Sequence, residues 1–161
     1  HKKICYNGGW EGASTHRDRE AGFREGLKEA GQDLAAHALG DFTVSRAKEA
    51  AREMFDRPDH PDAVFVVQDS MAFAVMDVLR GELNIKIPQE VSIIGYDDVP
   101  PASLEAYDLT TMRQRSNIMV DETVALILDK ITNPSQEPKH IKVESPLIIR
   151  SSAKIPKGWT S

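Results

Sequence analysis

Strand-length apolar runs alternate with helix-period segments along most of this chain, and that alternation limits its possible folds more than any other feature. Residues 3–7, 34–39, 63–67, 91–96 and 109–113 predict strands, with two late ones at 141–143 and 147–149 around Pro146. Residues 15–29, 44–55, 70–83 and 117–131 predict helices. The first helix places Phe23, Leu27 and Ala30 on one face, opens on a capping-box pattern at Thr15 and Asp18, and is stopped by Gly31. The second carries Val44, Ala47, Ala51, Met54 and Phe55 on its stripe, and the last ends at Asn133-Pro134. The run Ala63-Val64-Phe65-Val66-Val67 has no polar alternation, so both of its faces must be covered. The expected fold class is therefore α/β: a parallel sheet between two helical layers, a three-layer lobe.

A chain of 161 residues is long enough for one domain with a sizeable core. Its net charge of -5 comes with no cluster of Lys and Arg, so nothing here attracts a phosphate backbone. Cys5 is the sole cysteine, which rules out an intramolecular disulfide and fits a reducing cytoplasm. Its place in Ile4-Cys5-Tyr6 predicts a buried structural thiol. No apolar run is long enough to span a membrane and no signal-peptide pattern is present. His1-Lys2-Lys3 runs directly into a strand, so a natural start upstream is expected.

In open parallel sheets, ligands bind beyond the carboxyl ends of the strands. Three such ends carry polar residues: Gly8 to Arg19, Gln68-Asp69, and Asp97-Asp98. Arg19 lies in the first helical turn, where a cation opposes the helix dipole by about 0.3–1 kcal/mol. It either pairs with a neighbouring carboxylate or serves as a multi-donor clamp on a small ligand. Of Asp97 and Asp98, one is expected to accept hydrogen bonds from ligand hydroxyls and the other to cap a turn or helix. Asp69 or Ser70 is expected to cap the third helix, leaving Gln68 to present its amide to a ligand. Trp10 and Phe42 stand in loops where an aromatic face can pack on a sugar ring, or can simply fill the loop.

The third helix is apolar around most of its circumference, through Met71, Ala72, Phe73, Ala74, Val75, Met76, Val78 and Leu79. A surface helix needs one apolar stripe. The surplus predicts either an oligomer interface over Met71, Phe73, Ala74, Met76 and Asp77, or burial within a larger domain.

Signatures of catalysis are missing. The sequence has no Gly-x-Ser-x-Gly elbow, phosphate loop or His-Glu-x-x-His helix. Its five histidines show no metal-ligand spacing, so neither metal nor cofactor is expected. A small α/β enzyme holding Mg²⁺ on Asp69, Asp97 and Asp98 is the weaker alternative, since no suitable lysine or nucleophile accompanies them.

Four segments together resemble one family. They are His1-Lys2-Lys3-Ile4 through Gly8-Gly9 with Thr15-His16-Arg17-Asp18-Arg19-Glu20-Ala21-Gly22-Phe23; Pro61-Asp62-Ala63 through Gln68-Asp69-Ser70-Met71-Ala72; Ile87-Pro88-Gln89-Glu90 through Tyr96-Asp97-Asp98; and Leu109-Thr110-Thr111-Met112-Arg113-Gln114. In this order and spacing, up to about Arg150, they resemble the sensor domain of lactose-repressor (LacI/GalR) regulators. The resemblance implies a truncated periplasmic-binding-protein-like (type I) fold, with residues 1–108 and about 140–161 in the C-terminal lobe and about 109–139 in an otherwise missing N-terminal lobe. It implies effector contacts from Arg19, Gln68, Asp97, Phe42, Thr15 and Gln114, with Gln68 one methylene longer than the family's usual Asn and Ser116 replacing a bulkier residue. It implies a sugar or related effector, a homodimer joined through the helix from Ser70 and the loop after Asp98, DNA contact only through an N-terminal domain outside this chain, no membrane and no catalysis. A periplasmic sugar carrier of the same fold is the alternative. The helix 117–131 would lack its partner lobe, so it is expected to repack, pair with another chain or be disordered.

Overall fold

A computed structural model describes residues 1–156. The strands are β1 (Ile4–Gly8), β2 (Leu34–Leu39), β3 (Ala63–Val66), β4 (Ser92–Asp97), β5 (Thr110–Arg113) and β6 (Leu147–Ile148). The helices are α1 (Ser14–Glu29), α2 (Val44–Phe55), α3 (Asp69–Asp77) and α4 (Ser116–Thr132), with a π-helical turn at Val78–Glu82 and a 3-10 turn at Pro100–Ser103. The strands form one sheet in the order β2-β1-β3-β4-β5-β6. β1 to β5 run parallel and β6 returns antiparallel to β5, pairing Leu147 with Met112 and Ile148 with Thr111. The five parallel strands thus bring their carboxyl ends to one edge.

Strand alternation sorts the residues of β1 between two covering layers. Tyr6 faces α1, where Phe23 lies 5.4 Å from it and 5.0 Å from Phe65, centroid to centroid. On the other side, Ala47, Ala51, Met54 and Phe55 of α2 and Met71, Ala72, Val75 and Met76 of α3 join Cys5, Val64, Val66 and Ile93 in one core. Gly40 is needed where α2 approaches the sheet: a Cβ there would come within 2.4 Å of the Met71 methyl and 2.9 Å of Asn7 Oδ1.

Several expectations need correction. α1 has no side-chain cap; Ala13 occupies the cap position and Thr15 lies inside the helix. Neither Asp69 nor Ser70 caps α3, because Gln68 takes that position without a side-chain bond. Residues 141–143 form no strand, since no neighbouring strand of this sheet lies beside them. β5 pairs with β4 along Thr110 to Arg113, so these residues, expected in the other lobe, belong to this sheet.

The apolar surplus of α3 also resolves differently. Met71, Ala74 and Met76 are at most 2% exposed within the single chain, so they have no surface to offer a partner. Phe73 stacks on Tyr107 at 4.2 Å, and Asp77 faces Lys48 at 3.8 Å. Burial by the sheet and α2, with Tyr107 over Phe73, accounts for the apolar circumference.

α4 neither repacks nor loses its form. It is a regular helix with no buried residue, and Val124, Ile127, Leu128 and Ile131 are 50–70% exposed. Burying a large apolar side chain is worth about 1.5–3 kcal/mol, and α4 forgoes that gain at each of these positions. No helix among the described residues is long and apolar enough to cross a membrane.

Candidate functional site

Arg19 leaves α1 just after its first turn and reaches across the carboxyl ends of β3 and β4. Its Nη1 donates to the Val67 carbonyl at 2.6 Å. Its guanidinium carbon sits 3.8 Å from the centroid of the Tyr96 ring, a cation–π contact worth about 0.5–2 kcal/mol depending on desolvation. Its Nη2 lies 3.5 Å from Asp97 Oδ1, the outer limit of a hydrogen bond. The same Oδ1 accepts from Gln114 Nε2 at 2.5 Å, and the Gln114 amide donates to the Asp97 carbonyl at 3.2 Å. Two side chains, one from α1 and one from the link between β5 and α4, therefore meet at the carboxylate that ends β4.

Asp97 is held under strain. Its φ of 121° lies where residues other than glycine are rare. Burial pushes its carboxyl above the usual range, against the hydrogen bond from Gln114 and the charge of Arg19. Tyr96 and Gln114 line an open hollow of about 300 Å³ together with Met119, Glu122, Ile141 and Val143. An apolar hollow of about 260 Å³, lined by Phe23, Leu27, Phe65, Ile94 and Ile149, lies away from this polar cluster on the α1 face.

The other expected contacts are distributed along the same edge. Gln68 directly follows Val67, whose carbonyl anchors Arg19. Thr15 is exposed one helical turn before Arg19. Phe42 has a left-handed backbone, φ 56°, and its ring lies on the bare Cα of Gly9, where a Cβ would come within 2.2 Å. Among the described residues, no hydrogen bond joins Thr15 or Phe42 to the Arg19 cluster. Trp10 is 61% exposed and covers Gly12 in the same way.

The two neighbouring aspartates divide their work, but Asp98 caps nothing. It takes Arg150 Nη2 at 2.7 Å and a short bond from Arg113 Nε, while Arg150 Nη1 donates to the Leu109 carbonyl at 2.6 Å. These bonds tie the end of β4 to β5 and to the return after β6. Burial would raise the Asp98 carboxyl, yet the two arginines hold it below the usual range. Asp69 is likewise engaged, accepting from Thr111 Oγ1 at 2.6 Å and from the Val99 amide at 3.0 Å. Both oxygens of Asp69 and of Asp98 are taken by protein donors, so the three aspartates do not provide the open ligand set that Mg²⁺ chemistry needs. Tyr96 is a site residue the sequence reading passed over; its only signal was its position before Asp97 at a strand end.

The sequence matches the periplasmic binding protein-like domain over residues 1–153. The chain belongs to that family. Among its relatives are regulators of the LacI type. The HTH-type transcriptional regulator CelR of Thermobifida fusca is 33% identical over 154 residues, covering 94% of this chain and 45% of CelR. The ribose operon repressor of Escherichia coli (strain K12) is 29% identical, covering 95% of this chain and 47% of the repressor. Among solved structures, the complex of transcriptional regulator CelR with cellobiose superposes with a TM-score of 0.87 at 32% identity, over 95% of this chain and 47% of that one. The lac repressor dimer bound to operator and an anti-inducer superposes with a TM-score of 0.88, over 95% of this chain and 53% of that one; at 22% identity this likeness speaks for the fold alone. This periplasmic binding protein-like chain spans about half the length of the curated relatives it matches. Those relatives are transcription regulators.

Proposed function

We propose that the chain is the C-terminal lobe, with the α4 segment of a second lobe, of the effector-sensing domain of a LacI-type transcription regulator. The effector is a sugar or a related polyhydroxy molecule. The observation that carries this reading is the meeting of Arg19 and Gln114 at Asp97 Oδ1, with no hydrogen bond to Asp97 Oδ2 among the described residues. A guanidinium, an amide and a carboxylate together supply donors and acceptors for adjacent hydroxyls. Gln68 and Thr15 extend that wall, and Phe42 offers an aromatic face at its far end. The likeness to transcriptional regulator CelR in complex with cellobiose supports a sugar.

No bond is made or broken in this role. The effector binds one closure state of two lobes more tightly than the other and shifts their equilibrium. Gln114 sits between β5 and α4, at the crossover, so a ligand on Asp97 pulls directly on the connection. The exposed apolar face of α4 is the surface a second lobe would cover. The regulator acts in the cytoplasm as a homodimer, with Phe73 and Tyr107 nearest the shared surface, and it touches DNA through a separate N-terminal domain.

The test is a thermal-shift screen of the intact regulator against cellobiose, other sugars, sugar phosphates and purines. At least one sugar is expected to raise the melting temperature, and Arg19→Ala to abolish that rise. A full shift retained by Arg19→Ala overturns the assignment.

A further inference from the structure

We infer that His16, Glu20 and His37 form a binding site for a zinc-class divalent cation, separate from the Arg19–Asp97–Gln114 cluster. His16 and Glu20 are one helical turn apart on α1, and His37 projects toward them from the edge strand β2. His16 Nε2 lies 3.2 Å and His37 Nε2 3.4 Å from the same oxygen, Glu20 Oε2. All three ligand atoms lie within 4.8 Å of one another. A tetrahedral cation bound at about 2.0–2.1 Å needs its ligands about 3.3 Å apart. Two of the three separations already have that value. The third closes by rotation of His37, whose side chain is 31% exposed. Imidazole and carboxylate together suit Zn²⁺ and its first-row neighbours better than Mg²⁺ or Ca²⁺.

The surroundings fit a bound cation. Arg24 holds the other carboxylate oxygen, Glu20 Oε1, at 2.7 Å, which fixes the orientation of the ligand. The Tyr6 ring stacks on His37 at 5.7 Å and tilts against His16 at 6.0 Å. Its hydroxyl is buried without a hydrogen-bond partner among the described residues. Burial, and then the charge of Glu20, raise its pKa, so the hydroxyl lies within the field of this cluster. Water in the fourth coordination position is a natural partner for an orphan donor of this kind. Sequence spacing concealed the site, because His16 and His37 come from different elements.

Binding has a consequence for the neighbouring strand end. His16 Nδ1 now accepts the Gly9 amide at 3.2 Å, so its proton resides on Nε2, facing Glu20. A cation takes the Nε2 lone pair, and the proton moves to Nδ1. Two N–H groups would then face each other, and the Gly9 contact opens. Gly9 carries the Phe42 ring, so the cation loosens one end of the proposed wall.

Titration of the chain with Co²⁺ is the direct test. The chain should bind one equivalent with the visible d–d absorption of a four-coordinate ion, and Zn²⁺ should displace it. Outer-shell partners alone are worth about 10–100-fold in metal affinity, so His37→Ala should weaken binding by more than about 100-fold. The Gly9 amide resonance should shift on Zn²⁺ addition to the wild type only. His37→Ala changes a partly exposed residue, and an unaltered urea midpoint establishes that the variant is folded. Glu20→Gln, which keeps an acceptor for both histidines but loses the charge, should also weaken binding. Absence of the cobalt band, or equal affinity in the wild type and His37→Ala, overturns the site and leaves a hydrogen-bonded clasp.

Discussion

Asp97 and Asp98 are adjacent in sequence, yet replacing Asp98 with alanine should damage the fold far more than any change at Asp97. The Asp98 side chain is 5% exposed, and its partners Arg150 and Arg113 are 13% and 49% exposed. Removing one member of a buried ion pair costs about 3–5 kcal/mol, because the other charge remains buried and unpaired. Arg150 keeps its bond to the Leu109 carbonyl, and Arg113 can turn to water. The lower figure, about 3 kcal/mol, is therefore expected. A domain of this size loses roughly 2–4 °C of melting temperature per kcal/mol, hence about 6–12 °C. Urea unfolding followed by circular dichroism measures the loss. Acid should narrow the gap between wild type and variant. The folded carboxyl titrates below its unfolded value, so its contribution is complete above about pH 3.9 and is lost as pH falls through the folded value. A variant within 1 kcal/mol of wild type at pH 7, or a gap unchanged at pH 2, refutes the reasoning.

Cys5 is fully buried and its thiol is pushed up to about 12, first by burial. Ellman's reagent at pH 8 should therefore leave it unmodified in the folded chain and label it rapidly in urea. Gly95→Ala should cost about 1–3 kcal/mol in urea unfolding, because the added Cβ would lie 2.3 Å from Asp69 Oδ1 and 2.8 Å from Leu109 Cδ2. Thr111 and Val99 fix Asp69 in place, so the clash is not easily relieved. Ile127→Ser and Leu128→Ser, at positions 54% and 59% exposed, should leave the stability of this chain within about 0.5 kcal/mol of wild type. Larger losses would mean that α4 has a partner.

The layered fold was legible because apolar periodicity records burial, and strand-length runs without alternation admit few architectures. Residues 44–55 and 34–39 were bounded correctly for this reason. Residues 141–143 have a strand's composition, but pairing also requires a neighbouring edge, which composition does not encode. α3 misled because an all-apolar circumference reports burial without identifying the covering partner; the sheet, α2 and Tyr107 cover it within the chain. At the site, Arg19 and Asp97 could be found because parallel strands bring their carboxyl ends to one edge, whereas Gln114 was marked only by the family resemblance. The role of Asp98 could not be read, since its partners Arg113 and Arg150 lie 15 and 52 residues away. The same holds for His16 and His37, which meet only when α1 folds over β2.

The most direct measurement is calorimetric titration of Asp97→Asn with the sugar that gives the largest thermal shift in the intact regulator. Asparagine tolerates the left-handed backbone at this position and keeps the side-chain shape. Losing a charge-assisted acceptor is worth about 1.5–3 kcal/mol, so affinity should fall roughly 10- to 150-fold while the urea midpoint changes little. Equal affinity in the two proteins would contradict the account, because no ligand would then rest on the carboxylate where Arg19 and Gln114 meet.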